Sequence, residues 1–396
     1  MRALVLVLGD LGRSPRMLAH AAALLRAGHE VHLVGGTRTP LPYALQRASS
    51  LSVHSLDVGE ASRGDGPAAS LATGVRGIRL GWRMARVLLR DTPPPDLILV
   101  QTPPPLPTLP VAMAAARLRG ARLLVDWHNL GWTLLALRFG SSHPLVHVMR
   151  WAEHFFGRRA DGHLAVSALL ARRLMTLGLR DVAVLHDGPS AVRPFPPARN
   201  DLPDDPLVVV APMGWTRDDD LPLLADALRQ LTRRVDSAPA PRRALRLLVS
   251  GDGPLRAEWG PRLRAIGGVA IRVETPDVAV DDYPNLLAGS HLGLCVHRSA
   301  SGLDLPMKIV ELQTVGVPVL ALDDGSPLEE IVPPECGVVR YGTASGLAEQ
   351  LYAALAEDHD GSDFLSGLTA QARRHTPVSW DDRWPGLMQS LLPPVK

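Results

Sequence analysis

Short apolar runs alternate with helical patterns along this chain, stop, and then start again. That doubled alternation limits the possible folds more than any other feature. Leu4–Leu8 is an apolar run ending in Gly9-Asp10. Residues 15–27 follow with Met17, Ala21, Leu24 and Leu25 at helical spacing, Gly28 closes that helix, and Glu30–Val34 begins the next run. Further strands are predicted at Asp96–Val100, Arg122–Val125, His163–Val166 and Val182–Leu185, with helices over 110–118, 144–158 and 167–176. Residues 59–74, rich in Gly, Ser and Ala, read as a loop. Short apolar strands separated by helices are covered on both faces, which implies a parallel sheet.

Residues 193–206, RPFPPARNDLPDDP, interrupt the pattern with proline and charge. Strands are then predicted at Leu207–Ala211, Leu245–Ser250, Val269–Glu274, Leu292–Val296 and Pro318–Ala321, with a helix over 218–232. The expected architecture is α/β. One Rossmann-like domain spans 1–195, a second spans 206–375, and a Trp-containing segment, 376–396, crosses back to the first. Two such sheets imply a cleft, and ligands bind beyond the carboxyl ends of the strands.

A chain of 396 residues, 46% apolar and 21% charged, can build a core in each domain without disulfides or metals. Its two cysteines, Cys295 and Cys336, form no CxxC pattern, which excludes a cysteine-ligated zinc or iron–sulfur site and fits a reducing compartment. A net charge of +2 is too balanced for a nucleic-acid binder. Of the 42 basic residues only Lys308 and Lys396 are lysines. Together with the Ala, Pro and Gly richness, this fits the codon bias of a GC-rich bacterium. A lone arginine is therefore weak evidence of function, and the single internal lysine is stronger. The N-terminal run Ala3–Leu8 is too short for a signal peptide or a membrane span. The expected location is cytoplasmic, with peripheral contact at the inner face of the plasma membrane. His143 and His147 are four apart but lack the HExxH pattern, so they read as helix-surface residues and no metal is expected.

Several segments carry candidate chemistry. Gly9-Asp10-Leu11-Gly12-Arg13 follows a strand and opens a helix, where an anion is favoured. It is GxxG rather than the dinucleotide GxGxxG, and the second strand ends in Val34-Gly35-Gly36 without a ribose-binding acid. Asp10 is either a helix cap or a general base. Asp126-Trp127-His128-Asn129 ends another strand, and Asp126 and His128 there can supply acid–base chemistry; the structural alternative is a capping Asp beside a half-buried His. Residues 75–90 place Arg76, Arg79, Arg83, Arg86 and Arg90 on one helix face beside Ile78, Trp82, Ala85 and Leu89. Such a helix can lie on an anionic membrane, although Gly77 and Gly81 weaken it. Gly251-Asp252-Gly253-Pro254 ends a strand of the second domain and allows close approach to a ring or phosphate.

The most informative segment is Ser301-Gly302-Leu303-Asp304-Leu305-Pro306-Met307-Lys308-Ile309-Val310-Glu311. A Ser-Gly turn opening a helix presents N–H groups to a diphosphate, and Lys308 adds a point charge. Glu311 shares that helix face and can accept ribose hydroxyls; the structural alternative is a surface Lys–Glu pair.

This segment, with GVPVLAL after it, resembles the signature of the β-1,4-mannosyltransferases that act on chitobiosyl-diphosphodolichol. LGDLGRSPRM at 8–17, LLVDWHNLGW at 123–132, HPLVHVMRWAEHFFGR at 143–158, GWTRDDDL at 214–221 and GDGPL at 251–255 are similar to further blocks of that family, in order. The resemblance implies a GT-B fold, two Rossmann-like domains facing across a cleft. It also implies inverting transfer of mannose from GDP-mannose to a GlcNAc hydroxyl on a lipid diphosphate. By that resemblance, Lys308 and the Ser301–Gly302 turn bind the donor diphosphate, Leu303 and Asp304 are further donor-binding residues, and Glu311 binds the ribose. Gly251 and Gly253 flank the base, with Trp215 and Thr216 nearby. The Gly9–Arg13 loop, including Gly12, faces the donor phosphates and the acceptor. Leaving-group charge falls on the helix dipole and the lysine, with no cofactor. Asp10 is the first candidate for the base, followed by Asp126 and His128. Replacing Lys308 is then expected to weaken donor binding and leave the fold intact.

Beside Glu311, which stands where eukaryotic members often have Asp and preserves the charge, the chain departs from the family in two respects. It starts at its first strand, where eukaryotic members carry a membrane anchor. Asp252 stands where their turn has a basic residue, which leaves the donor's base and sugar open. In a bacterium the expected acceptor is another polyprenyl-linked or glycolipid sugar. Two alternatives accompany this reading: a different nucleotide-sugar donor, and a non-catalytic sugar-nucleotide-binding subunit.

Overall fold

In a computed structural model of the chain, the apolar runs become two sheets in which every neighbouring pair of strands is parallel. The structure describes residues 1–56, 67–203, 205–237, 243–356 and 364–391, with side chains in the first long helix from residue 75. Two compact units divide the chain: Met1–Arg193 with Ser379–Lys396, and Pro194–Val378.

The first unit contains β1 (Arg2–Asp10), β2 (Glu30–Gly36), β3 (Leu51–Ser55), β4 (Leu97–Thr102), β5 (Arg122–Trp127), β6 (Gly162–Ala165) and β7 (Val182–Val184). Their order is β3-β2-β1-β4-β5-β6-β7. Its helices are α1 (Pro15–Arg26), α2 (Tyr43–Gln46), α3 (Pro67–Arg86), α4 (Thr108–Arg119), α5 (Gly131–Phe139), α6 (Pro144–Gly157) and α7 (Ala168–Thr176). The second unit repeats the plan with β8 (Leu207–Pro212), β9 (Leu245–Ser250), β10 (Ile271–Glu274), β11 (Leu292–Cys295), β12 (Val319–Leu322) and β13 (Val338–Tyr341), ordered β10-β9-β8-β11-β12-β13. Its helices are α8 (Leu221–Ser237), α9 (Arg256–Arg264), α10 (Tyr283–Ala288), α11 (Met307–Val315), α12 (Ala344–Leu355) and α13 (Phe364–Arg374). The last helix, α14 (Trp380–Leu391), belongs to the first unit.

The central strands are the continuous apolar runs, because both faces are covered: Ala3–Val7 and Leu97–Val100 are wholly buried. The edge strands β3 and β13 escape the sequence pattern. Each has one neighbour, and β3 leaves Ser52 and Val53 exposed, so neither needs an apolar run. Helix α3 starts at Pro67, inside the stretch read as a loop over 59–74; residues 57–66 lie outside the described residues. Beyond it the helix widens into one π-type turn at Val87–Asp91. Helix α8 starts at Leu221 rather than at 218, which leaves Asp218–Asp220 in the loop after β8.

The first unit's core includes its own C-terminus. Trp380, Trp384, Met388 and Leu391 of α14 are buried in one cluster with Val5, Leu18 and Leu124. A fully buried side chain of this size contributes about 2 kcal/mol, so α14 is part of that unit's stability. No helix among the described residues is long and apolar enough to cross a membrane.

Candidate functional site

In the first unit the candidate residues lie at the carboxyl ends of β1 and β5. Asp10 is the last residue of β1. Its carboxylate accepts from the Thr39 backbone N–H at 3.1 Å and from the Thr39 hydroxyl. Arg13 stands 4.0 Å away. Asp10 thus tethers the loop after β2 as well as ending its own strand. Gly12 has a packing reason: a Cβ there would fall 2.6 Å from the carbonyl oxygens of both Thr39 and Pro40. The close approach at Gly12 is to this loop.

Asp126, at the end of β5, is fully buried and accepts four hydrogen bonds. Arg16 donates to Oδ1 through Nη2 and to Oδ2 through Nε, each at 2.8 Å. His20 Nε2 lies 3.2 Å and His128 Nε2 3.1 Å from Oδ2. Burial alone would push this carboxyl up, but the charge of Arg16 and the bonds from His128 and His20 hold it well below the usual range. It is a carboxylate, so both imidazole Nε2 atoms must donate to it. That corrects one expectation: Asp126 is a poor proton acceptor, because neutralising it would leave the buried Arg16 guanidinium with only one of its two carboxylates.

The same network fixes His128. With Nε2–H turned to Asp126, the neutral ring carries its lone pair on Nδ1, and the side chain is 24% exposed. His20 is fully buried, and burial lowers its pKa. It accepts from Trp384 Nε1 on its Nδ1 at 2.9 Å, which sets its tautomer too. Arg16 also donates to Asp187 at 2.9 Å and to the Leu185 carbonyl at 2.8 Å, and lies over the Trp380 ring. Sequence reasoning missed Arg16, His20, Asp187 and Trp384. They come from three separate stretches of chain, Arg16 and His20 sharing α1, and only the fold gathers them around one carboxylate.

Glu153 was also missed. It reaches from α6 to the start of α5, where Oε1 accepts the Gly131 N–H at 2.5 Å, three residues beyond His128. Burial pushes its pKa up to about 8, despite the backbone N–H groups of Gly131 and Trp132 pulling it down. The folded state therefore holds a proton that the unfolded state releases between about pH 4.5 and about pH 8. Stability contributed by this group is full below that window and is lost as pH rises through it. Glu153→Gln is neutral at every pH, so the difference in Tm between variant and wild type is expected to grow in the variant's favour across the window. Parallel Tm curves from thermal scans would show that Glu153 titrates normally.

His143 caps α6, its Nδ1 accepting the Leu145 N–H at 3.2 Å. Among the described residues no group of three His, Cys, Asp or Glu side chains is placed to hold a metal.

In the second unit the loops after β8 and β11 are tied together. Lys308 lies in the first turn of α11 and donates to Asp219 Oδ1 at 2.7 Å; the Asp219 side chain is buried. Asp219 Oδ2 also accepts the Thr216 N–H at 3.3 Å. Lys308 thus pairs with Asp219 rather than in the surface Lys–Glu pair that was the structural alternative, and Glu311, one turn further on, accepts from the Tyr283 hydroxyl at 2.7 Å. Asp304 accepts from the Ser299 hydroxyl and lies 3.1 Å from His297 Nε2. Burial raises the Asp304 carboxyl, and His297 more than offsets it, holding it below the usual range. Asp218, beside Asp304 and Asp219, is pushed up by burial and by those two charges.

Three expectations change here. Trp215 is wholly buried with φ 49° and packs in the core, so its ring is not offered to a base. Gly251 and Gly253 do permit a close approach, but to protein: a Cβ on them would fall 2.0 Å from the Met213 carbonyl oxygen and 1.9 Å from that of Gly214. The helix expected to open at Ser301-Gly302 opens at Met307, behind Pro306. Ser301 and Gly302 form a separate turn, in which Leu303 N–H donates to Ser301 Oγ at 3.1 Å and Gly302 has φ 69°.

Comparison with known proteins follows the same division. Residues 12–188 match the glycosyl transferase 4-like domain, and residues 205–357 match glycosyl transferases group 1. The chitobiosyldiphosphodolichol beta-mannosyltransferase of Yarrowia lipolytica is 33% identical over 406 residues, covering 97% of this chain and 84% of that protein. The UDP-glycosyltransferase TURAN of Arabidopsis thaliana is 29% identical, covering 100% of this chain and 97% of that protein. Anabaena Alr3699/HepE, solved in complex with UDP and glucose, superposes with a TM-score of 0.65 at 17% identity, covering 99% of this chain and 100% of that one. That likeness is one of fold, the GT-B fold of two Rossmann-like domains.

Proposed function

Since this chain belongs to the family of the chitobiosyldiphosphodolichol β-mannosyltransferases, we propose that it transfers mannose from GDP-mannose to a hydroxyl of a lipid-linked glycan, in one inverting displacement that leaves a β linkage. The observation that carries the mechanism is the buried carboxylate of Asp126 holding His128 by its Nε2–H. His128 is the general base in this reading. Its Nδ1 takes the acceptor's hydroxyl proton as that oxygen bonds to the donor's anomeric carbon. The bond from that carbon to the diphosphate oxygen breaks, and GDP leaves. Asp126 stabilises the imidazolium without taking its proton, and Arg16, His20 and Trp384 keep Asp126 in place. This order of preference reverses the one drawn from sequence, because both oxygens of Asp10 are already tethering the Thr39 loop.

On the donor side Lys308 and the first-turn N–H groups of α11 neutralise the charge that develops on the leaving diphosphate. Asp219 aims the ammonium. Glu311, oriented by Tyr283, accepts the ribose hydroxyls. Carboxylates of the 216–220 and 299–304 loops are suited to accept sugar hydroxyls, which an all-basic pocket could not do. A UDP-sugar donor is the competing reading. It is favoured by the name of the Arabidopsis relative and by Asp252 in the GDGP turn. Mannose transfer from GDP-mannose to a polyprenyl-diphosphate chitobiose, run beside UDP-sugars, separates the two.

A further inference from the structure

In the first unit α3, α4, α6 and α5 pack side by side in that order. Their outward side chains include many large apolar ones. Ile78 and Trp82 on α3 are 75% and 66% exposed, and Leu118 on α4 is 74% exposed. On α6 Val148, Trp151 and Phe155 are exposed in a row one turn apart, with Trp151 stacked on Phe155 at 5.0 Å. Single exposed apolar residues are ordinary, but a set spread over neighbouring helices marks an interaction surface.

The charge of these helices has one sign. Neither 75–90 nor 108–119 contains an acidic residue, and between Gly131 and Arg159 the only acid is Glu153, which is turned inward and buried. The same three stretches carry eleven arginines, in a chain whose net charge is +2. Several lie against aromatic rings: Arg159 is 3.7 Å from the Phe155 ring centroid and Arg150 is 5.3 Å from that of Trp132. At the end of the first stretch Asp91 pairs with Arg86 at 3.7 Å. Tryptophan and phenylalanine beside arginine, with acids excluded, suit the boundary between lipid headgroups and acyl chains.

We propose that this four-helix face docks the protein on an anionic phospholipid bilayer, with Trp82, Trp151 and Phe155 entering the headgroup region and the arginines meeting lipid phosphates. The helix over 75–90 is one part of the surface, and α6 is the other. The two faces of α6 do different work. Outward it carries Trp151 and Phe155. Inward its Glu153 holds the start of α5, immediately past His128. Docking therefore sets α6 against the bilayer with the loop of the first unit's site held behind it. The proposal does not depend on the reaction assigned above, because its test measures binding without substrate.

The test is co-sedimentation of the full chain with phosphatidylcholine vesicles, with and without phosphatidylglycerol. Binding is expected only to the anionic vesicles and is expected to fall with salt. Arg79→Gln with Arg83→Gln should weaken it about tenfold or more, since each surface cation is worth about fivefold. Trp151→Ser with Phe155→Ser should weaken it about tenfold by removing the inserted apolar area. Val269→Ser, at a fully exposed site of the second unit, should leave it unchanged. All these sites are at the surface, so Tm should hold in every variant. Failure of the intact protein to bind anionic vesicles would overturn the proposal and turn this face into a protein-docking surface. Equal binding by the aromatic and arginine variants would overturn it as well.

Discussion

Lys308→Ala is expected to weaken GDP binding by about 10- to 100-fold in calorimetry, the range for losing a charge-assisted bond to phosphate. It should also lower the stability of the second unit, which revises the expectation that the fold would be untouched. Asp219 is buried and Lys308 is its cation, at 2.7 Å. Removing one partner of such a pair strands the other. The two effects separate in the double variant Lys308→Ala with Asp219→Asn. With no stranded charge its stability should recover, whereas its GDP affinity should stay low. If affinity recovers with stability, Lys308 acts only as a structural counter-ion and has no phosphate role.

His128→Ala is expected to lower kcat by about 100- to 10,000-fold, the usual contribution of a positioned general base, with GDP affinity unchanged. The side chain is partly exposed, so the fold should tolerate its loss. Asp126→Asn is a different experiment, because it leaves Arg16 with one of its two carboxylates and breaks a buried pair. A stability loss of about 3–5 kcal/mol is expected there, and kcat falls for both reasons. Asp10→Asn keeps the shape of the Thr39 tether and should lower kcat far less than His128→Ala. The opposite ranking, with Asp10→Asn the more damaging, would return the base to Asp10 and leave His128 a bystander.

Both residues behind these predictions were visible in the sequence, for different reasons. Lys308 stood out because arginine fills almost every other basic position, so a lysine there is unlikely to reflect codon bias alone. Asp126 and His128 stood out because DWHN ends an apolar strand of a parallel sheet, where ligands collect. Their partners were hidden. Arg16 is one of forty arginines and lies 110 residues from Asp126; Trp384 lies 364 residues from His20. No local pattern can report contacts of that span. The second unit shows the opposite failure. Gly251, Gly253 and Trp215 looked like a ligand-facing loop, yet the glycines make room for the backbone of residues 213–214 and the indole lies in the core. A glycine turn at a strand end signals close approach, but not to what. Helix α11 was placed too early for a similar reason: Ser301-Gly302 reads as a cap, but Pro306 sets the start.

The near-neutral charge of the whole chain was equally uninformative about its parts. Eleven arginines sit in three stretches of the first unit without an exposed acid among them, and only the packing of α3, α4, α6 and α5 shows that they share a surface.

The most direct measurement is the anomeric configuration of the sugar transferred from GDP-mannose to a polyprenyl-diphosphate chitobiose, read from the one-bond C1–H1 coupling of the product. A β-linked mannose is expected, formed with one GDP per transfer and lost in His128→Ala. An α-linked product, transfer from UDP-sugars alone, or undiminished transfer by His128→Ala would contradict an inverting mannosyl transfer run by the Asp126–His128 pair.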